Sequence, residues 1–207
     1  MCFLSCSKEE YDIKFQTIIA MVKSNLENRT KTYIAGDFNT DKNLIVKLYE
    51  WNKTNNLNLN LVDDDEIIQA SDSTLCCNIK KSIREQLNLS KTFVLIIGKK
   101  TSTVRSGACF ICPFYRNYLA KPNNCSQGNI VDEKSYIQYE CEKAVKDFNA
   151  GFLRNIVVIY NGHKTPKRDK CPEVIRWKGI HIGSDYLDEN GEISWNYQEI
   201  IDAILQK

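Results

Sequence analysis

Apolar residues recur along the chain at two periods, and the switches between them lay out a series of elements. From 8 to 27, Phe15, Ile18, Ile19, Val22 and Leu26 fall at helical spacing and predict a helix. A polar break, Glu27–Lys31, separates it from Tyr33-Ile34-Ala35-Gly36, a short strand running into the polar turn Asp37-Phe38-Asn39-Thr40-Asp41. Leu44, Leu48 and Trp51 mark one face of a second helix. Leu57-Asn58-Leu59-Asn60-Leu61 alternates as a half-buried strand does, and ends in the acidic triplet Asp63-Asp64-Asp65. Cys76, Ile79, Ile83 and Leu87 form an i, i+4 stripe for a third helix. Phe93–Ile97 is apolar throughout and closed by Gly98, the pattern of a central parallel strand covered on both faces.

Residues 99–134 break this rhythm. They are rich in Lys, Ser, Asn, Cys and Gly and hold two of the four prolines, which predicts a long loop or insertion at 102–134. Ser135-x-x-Gln138 then reads as a capping box opening a helix whose buried stripe is Ile137, Cys141, Ala144, Val145 and Phe148. Ile156–Tyr160 is a further apolar strand, ended by Asn161-Gly162. A last short strand is expected around Gly179–Ile182. Ser194 is placed to cap a C-terminal helix with Tyr197, Ile200, Ile201 and Ile204 inward. The order is a helix, then strand–helix repeated about four times: an α/β parallel sheet with helices on both faces. An N-terminal helical extension (1–31) precedes the domain (32–207). Ligands of such sheets bind beyond the carboxyl ends of the strands, which points to Asp37–Asp41, Asp63–Glu66, Gly98–Thr101, Asn161–His163 and the start of the helix at 135.

Composition narrows the function. With 207 residues, 43% of them hydrophobic, the chain is ample for one core. Lys+Arg 28 against Asp+Glu 26 leaves a net charge of +2, so no electrostatic case exists for nucleic acid or an acidic membrane as partner. The apolar runs are too short to span a bilayer, and MCFLSCSKEE lacks the basic and long apolar regions of a secretory signal, so a cytoplasmic protein is expected. Nine cysteines at irregular spacing do not form a disulfide framework, and in a reducing compartment they are free thiols. The four Asn-x-Ser/Thr sequons, at Asn28, Asn52, Asn88 and Asn124, would matter only in a secreted chain.

The familiar chemical motifs are missing. There is no G-x-G-x-x-G, no phosphate-binding G-x-x-x-x-G-K-[ST] and no G-x-S-x-G elbow. Only His163 and His181 are available to a triad, and His163 reads as a solvated loop residue. Cys109-x-x-Cys112 with Cys125 offers three zinc ligands where a structural site needs four, so no metal is expected. Asp63-Asp64-Asp65 reads as a solvated acidic turn. A receiver domain's phosphate-accepting Asp is excluded, since Gly98 occupies that place.

Tyr136-Ile137-Gln138-Tyr139-Glu140 is the most informative stretch. Tyr136 and Glu140 are four apart and share a helical face, with Ile137 and Cys141 turning inward beside them. This places Glu140 at the flank of the buried stripe, near the rim where the strands end. A carboxylate beside an aromatic ring at such a rim can orient a ribose and stabilise a cationic sugar, although spacing alone favours an ordinary surface Glu.

Four segments in order resemble the TIR-like domains of the bacterial Thoeris anti-phage defence system (the ThsB-like branch). Tyr33–Phe38 is similar to that family's first strand and turn, and Leu57–Asp65 to its second strand. Ser82–Leu87 with Ser90–Thr101 is similar to its helix, third strand and Gly-x-x-Thr exit. Tyr136–Glu140 is similar to its aromatic-x-x-x-Glu motif, with Tyr where Trp is usual. The resemblance spans about residues 33–162 and implies a flavodoxin-like five-stranded parallel sheet. It also implies cleavage of the nicotinamide–ribose bond of NAD⁺, as substrate rather than cofactor. The product would be a cyclic or modified ADP-ribose signal, a nucleotide second messenger for a separate effector protein. Glu140 maps onto the residue that contacts the ribose, so it is the expected catalytic residue. Asp37, Phe38, Asn39, Thr101 and Tyr136 are the expected substrate-binding residues. The resemblance further implies self-assembly on activation. The alternatives are a non-catalytic TIR-like adaptor and a nucleotide sensor that binds without turnover.

Overall fold

The computed structural model describes residues 28–63, 75–103, 106–112, 115, 124–125 and 130–206. The helix expected over 8–27 and Asp64–Glu66 lie outside them. Five strands form one parallel sheet: β1 (Lys31–Ala35), β2 (Asn60–Asp63), β3 (Ser90–Ile97), β4 (Asn155–Tyr160) and β5 (Ile180–Gly183), in the order β2-β1-β3-β4-β5. Four helices accompany them among the described residues: α1 (Phe38–Thr54), α2 (Cys76–Asn88), α3 (Tyr136–Asn149) and α4 (Tyr197–Leu205). This is an α/β flavodoxin-like architecture with the apolar strand β3 at its centre, as its pattern predicted.

Strand alternation divides the core in two. Tyr33, Phe93, Leu95, Ile97, Ile156 and Val158 face α2 and α3. Ile34, Val94, Ile96, Val157 and Ile159 face α1 and α4. The Ser135 capping box forms in full: the Ser135 side chain accepts from the Gln138 amide and the Gln138 side chain from the Ser135 amide.

Several boundaries differ from the expected ones. β1 begins at Lys31, inside the stretch assigned to the N-terminal extension. α1 begins at Phe38, so Asn39, Thr40 and Asp41 belong to its first turn. β2 begins at Asn60, not Leu57. Asn56 and Asn58 adopt left-handed φ of 48° and 55°, and the Leu59 amide is taken by the Asn52 side chain, so of the alternating leucines only Leu61 is laddered. No α-helix joins β4 to β5; the connection holds a single 3-10 turn, Arg168–Lys170, and plugs the face with Cys171 and Ile175. Ser194 does not cap α4. It lies in a small hairpin of β6 (Asp185–Leu187) and β7 (Ile193–Trp195), and Asn196 stands at the cap position. No described helix is long and apolar enough to cross a membrane.

Candidate functional site

In this sheet order the chain leaves β1 toward one edge and resumes at β3 on its other side, so the switch point lies between their carboxyl ends. The residues just beyond β1, β3 and β4 meet there. Asp41, in the first turn of α1, is wholly buried. Its Oδ1 accepts from the Asn161 side chain at 2.9 Å, while Oδ2 is buried with no partner among the described residues. The carboxylate lies flat over Gly98: a Cβ there would stand 1.9 Å from Asp41 Oδ1. Burial raises the Asp41 pKa, and the neighbouring Asp37 adds to the rise. The Asn161 side chain and a backbone amide oppose it. Asp37 Oδ2 accepts from the Thr40 hydroxyl at 2.9 Å. Thr101 is buried, and its hydroxyl accepts from the Gly98 amide at 2.8 Å, which folds the β3 exit back on itself. Thr101 also lines a cavity of about 230 Å³ with Gln138, Asp169, Lys170 and Arg176, between the start of α3 and the β4–β5 connection.

Glu140 lies deeper. It sits in the second turn of α3 and is 0% exposed, within the buried stripe rather than at its flank as expected. The Tyr33 hydroxyl donates to Glu140 Oε1 at 2.7 Å, and Oε2 is buried with no partner among the described residues. The Tyr33 ring stacks on Phe93 at 6.1 Å, so the donor is positioned by two central strands. Burial pushes the Glu140 pKa up to about 7, against the opposing hydrogen bond from Tyr33.

Tyr136 is also buried, but turns away to other partners. Its side chain packs in the core cluster that holds Ile79 of α2, and its ring lies on Gly107, where φ is +90° and a Cβ would stand 2.3 Å from the ring. Burial raises the Tyr136 pKa. The expected residues therefore divide. Asp37 and Thr101 stand at the exits of β1 and β3, Glu140 reaches under them to Tyr33, and Tyr136 packs against α2. The backbone of Phe38 and Asn39 opens α1; their side chains lie outside what the structure describes. Sequence reasoning placed Asp41 and Asn161 only within the rim segments Asp37–Asp41 and Asn161–His163, and gave Tyr33 no chemical role. For Asp41 the available signal was its place at the rim. For Tyr33 it was the single aromatic side chain in its strand.

No protein-family model and no curated protein matches the chain. The chemistry available at the site is that of a carboxyl in dry surroundings, titrating near neutrality, with one oxygen held and one unengaged. In a low-dielectric setting such a carboxylate interacts strongly with a cationic centre brought against it.

Proposed function

We propose that the chain is a TIR-like NAD⁺-processing enzyme of the kind found in Thoeris anti-phage defence. It would cleave the nicotinamide–ribose bond and release a cyclic or modified ADP-ribose signal for a separate effector. The observation that carries this reading is the state of Glu140, whose carboxyl is desolvated, held at Oε1 by Tyr33 and unengaged at Oε2, four residues after Tyr136 and beneath the switch point of the sheet. The sequence resemblance over 33–162 supports it. The nicotinamide ring of NAD⁺ is already cationic and departs as the neutral base, so its departure needs no general acid. Charge develops on the ribose, and a carboxylate stabilises it. Asp37, Phe38, Asn39, Thr101 and Tyr136 would line the nucleotide. With Glu140 sealed, the single chain is the resting form, and substrate entry requires the rim above it to part on assembly with further copies.

A second reading rests on the same burial. A carboxyl with no exposure and a tyrosine partner is also how a structural acid is held, which favours a non-catalytic adaptor or a nucleotide sensor. The test is NAD⁺ incubation with wild type and Glu140→Gln, at concentrations that permit assembly and with lysate of phage-infected cells, with products resolved by mass spectrometry. NAD⁺ loss with a new ADP-ribose species that disappears in Glu140→Gln is the expected result. Equal turnover by both proteins overturns the enzyme reading. Stoichiometric nucleotide binding without product assigns the sensor.

A further inference from the structure

We propose that the cavity between the start of α3 and the β4–β5 connection binds a phosphate-class anion, free or as the diphosphate of a nucleotide, with Lys170 and Arg176 as its cationic contacts. Charge is spread unevenly along this chain. Residues 161–179, which join β4 to β5, hold six of the 28 Lys and Arg against two acids, Asp169 and Glu173. They therefore carry +4, where the whole chain carries +2. A cleft walled mainly by one sign of charge concentrates ions of the other.

The fold turns this excess into a site. The connection is fastened by its own arginines: Arg168 Nη1 donates to the Arg176 carbonyl at 2.7 Å, and Arg176 Nη2 donates to the Cys171 carbonyl at 3.3 Å. Cys171 and Ile175 anchor it in the core. Lys170 is steadied by His163, whose Nε2 lies 3.2 Å from the ammonium. Both cavity cations, Lys170 and Arg176, are half-buried, and among the described residues neither pairs with a carboxylate. Arg176 Nε is also buried with no partner among the described residues, so the guanidinium is short of acceptors. Asp169 and Glu173 line the same cavity, but both are exposed. Water screens exposed charge more than half-buried charge, so the cations dominate inside. Burial lowers the His163 pKa, and Lys170 and Lys167 lower it further, which reflects the same positive surroundings.

The opposite wall is made of donors. Thr101 and Ser135 line it and are buried. Their hydroxyl oxygens accept from the Gly98 and Gln138 amides, and neither hydroxyl proton has an acceptor among the described residues. Ser135 opens α3, so the positive end of a 14-residue helix stands at this wall. The volume, about 230 Å³, is below the about 300–1,000 Å³ of pockets that engulf a drug-sized ligand. It fits a phosphate or diphosphate, with the remainder of any larger ligand outside. The inference rests on this cavity and its charges, not on the enzyme reading.

The test is calorimetric titration of the full chain with pyrophosphate, ADP and adenosine. One-to-one binding of pyrophosphate and ADP, with none of adenosine, is expected. Equal affinities for the two anions would assign the site to the free anion, and tighter binding of ADP would assign it to the diphosphate of a nucleotide. Lys170→Gln and Arg176→Gln should each weaken binding about 10–100-fold, as loss of a charge-assisted hydrogen bond does. Arg176 also braces the connection, so Lys170→Gln carries the test should Arg176→Gln fail to fold. Lys81→Gln removes the same charge from the exposed face of α2 and should change affinity by less than about two-fold. Absence of binding of both pyrophosphate and ADP to wild type at millimolar concentration overturns the proposal, as does adenosine binding as tightly as ADP. An equal loss in Lys81→Gln and Lys170→Gln overturns it too, since net charge alone would then account for the affinity. Anion binding without NAD⁺ turnover would uphold this site while the enzyme reading failed.

Discussion

Tyr33 and Glu140 stand 107 positions apart and make one buried hydrogen bond. Its consequences for stability have a definite sign. An unfolded Glu titrates near 4.5, whereas Glu140 in the fold titrates near 7. Between those values the folded chain holds a proton that the unfolded chain has released. Stability therefore falls as pH rises from about 4.5 to about 7, by up to about 3 kcal/mol, and stays reduced above. Glu140→Gln cannot ionise, so urea denaturation at pH 5 and pH 8 should show a smaller difference for this variant than for wild type. Tyr33→Phe removes the only donor to Oε1 among the described residues, and at pH 8 it should cost about 1–3 kcal/mol more than at pH 5, where the carboxyl is neutral. An equal loss at both values would mean that the hydroxyl does not serve the ionised form. None of this was legible in the sequence. Periodicity scores Glu140 as polar and assigns it to the flank of the stripe. Its burial depends on a tyrosine from a strand formed a hundred residues earlier, which no local pattern reports.

Elements were readable where one rule governed a whole segment. β3 and β4 are buried on both faces, so an unbroken apolar run suffices to find them, and α3 carries both a stripe and a reciprocal cap. Reading failed where a local bond overrode the pattern, as when Asn52 took the Leu59 amide and delayed β2. It also failed where strands were too short to show a period, as in β6 and β7. At the candidate site the join between elements is tighter than either element shows alone. Asp41 ties α1 to β4 through Asn161, and it fits over β3 only because residue 98 has no Cβ. Gly98→Ala should therefore cost about 1–3 kcal/mol by overpacking. The loss should be smaller in an Asp41→Ala background, because the clashing carboxylate is gone. A double-mutant cycle by urea denaturation measures this. Strict additivity would place the glycine's requirement elsewhere in the turn.

Across the whole molecule the two rims of the sheet do different work. The carboxyl ends carry buried carboxyls with unengaged oxygens, groups that cost stability. The amino ends carry the compensating joints. Arg29, two residues before β1, donates to Asp147 at 3.2 Å near the end of α3 and to the Leu87 carbonyl at 3.4 Å near the end of α2, and it stacks over the Phe152 ring at 5.3 Å. One side chain thus clamps the starts and ends of several elements on the side remote from the candidate site. Arg29→Ala breaks a largely buried pair, but Lys143 still neutralises Asp147, so the expected loss is about 2–3 kcal/mol, below the range for stranding a buried charge outright. Arg29→Lys keeps the charge but neither the planar stack nor the forked geometry, and should recover only part of it. Because the clamp lies at the opposite rim, both variants should leave the pH dependence attributed to Glu140 unchanged while lowering stability uniformly at pH 5 and pH 8. A variant that shifted that pH dependence would show the two rims to be coupled through α3, to which both Arg29 and Tyr33 are hydrogen-bonded.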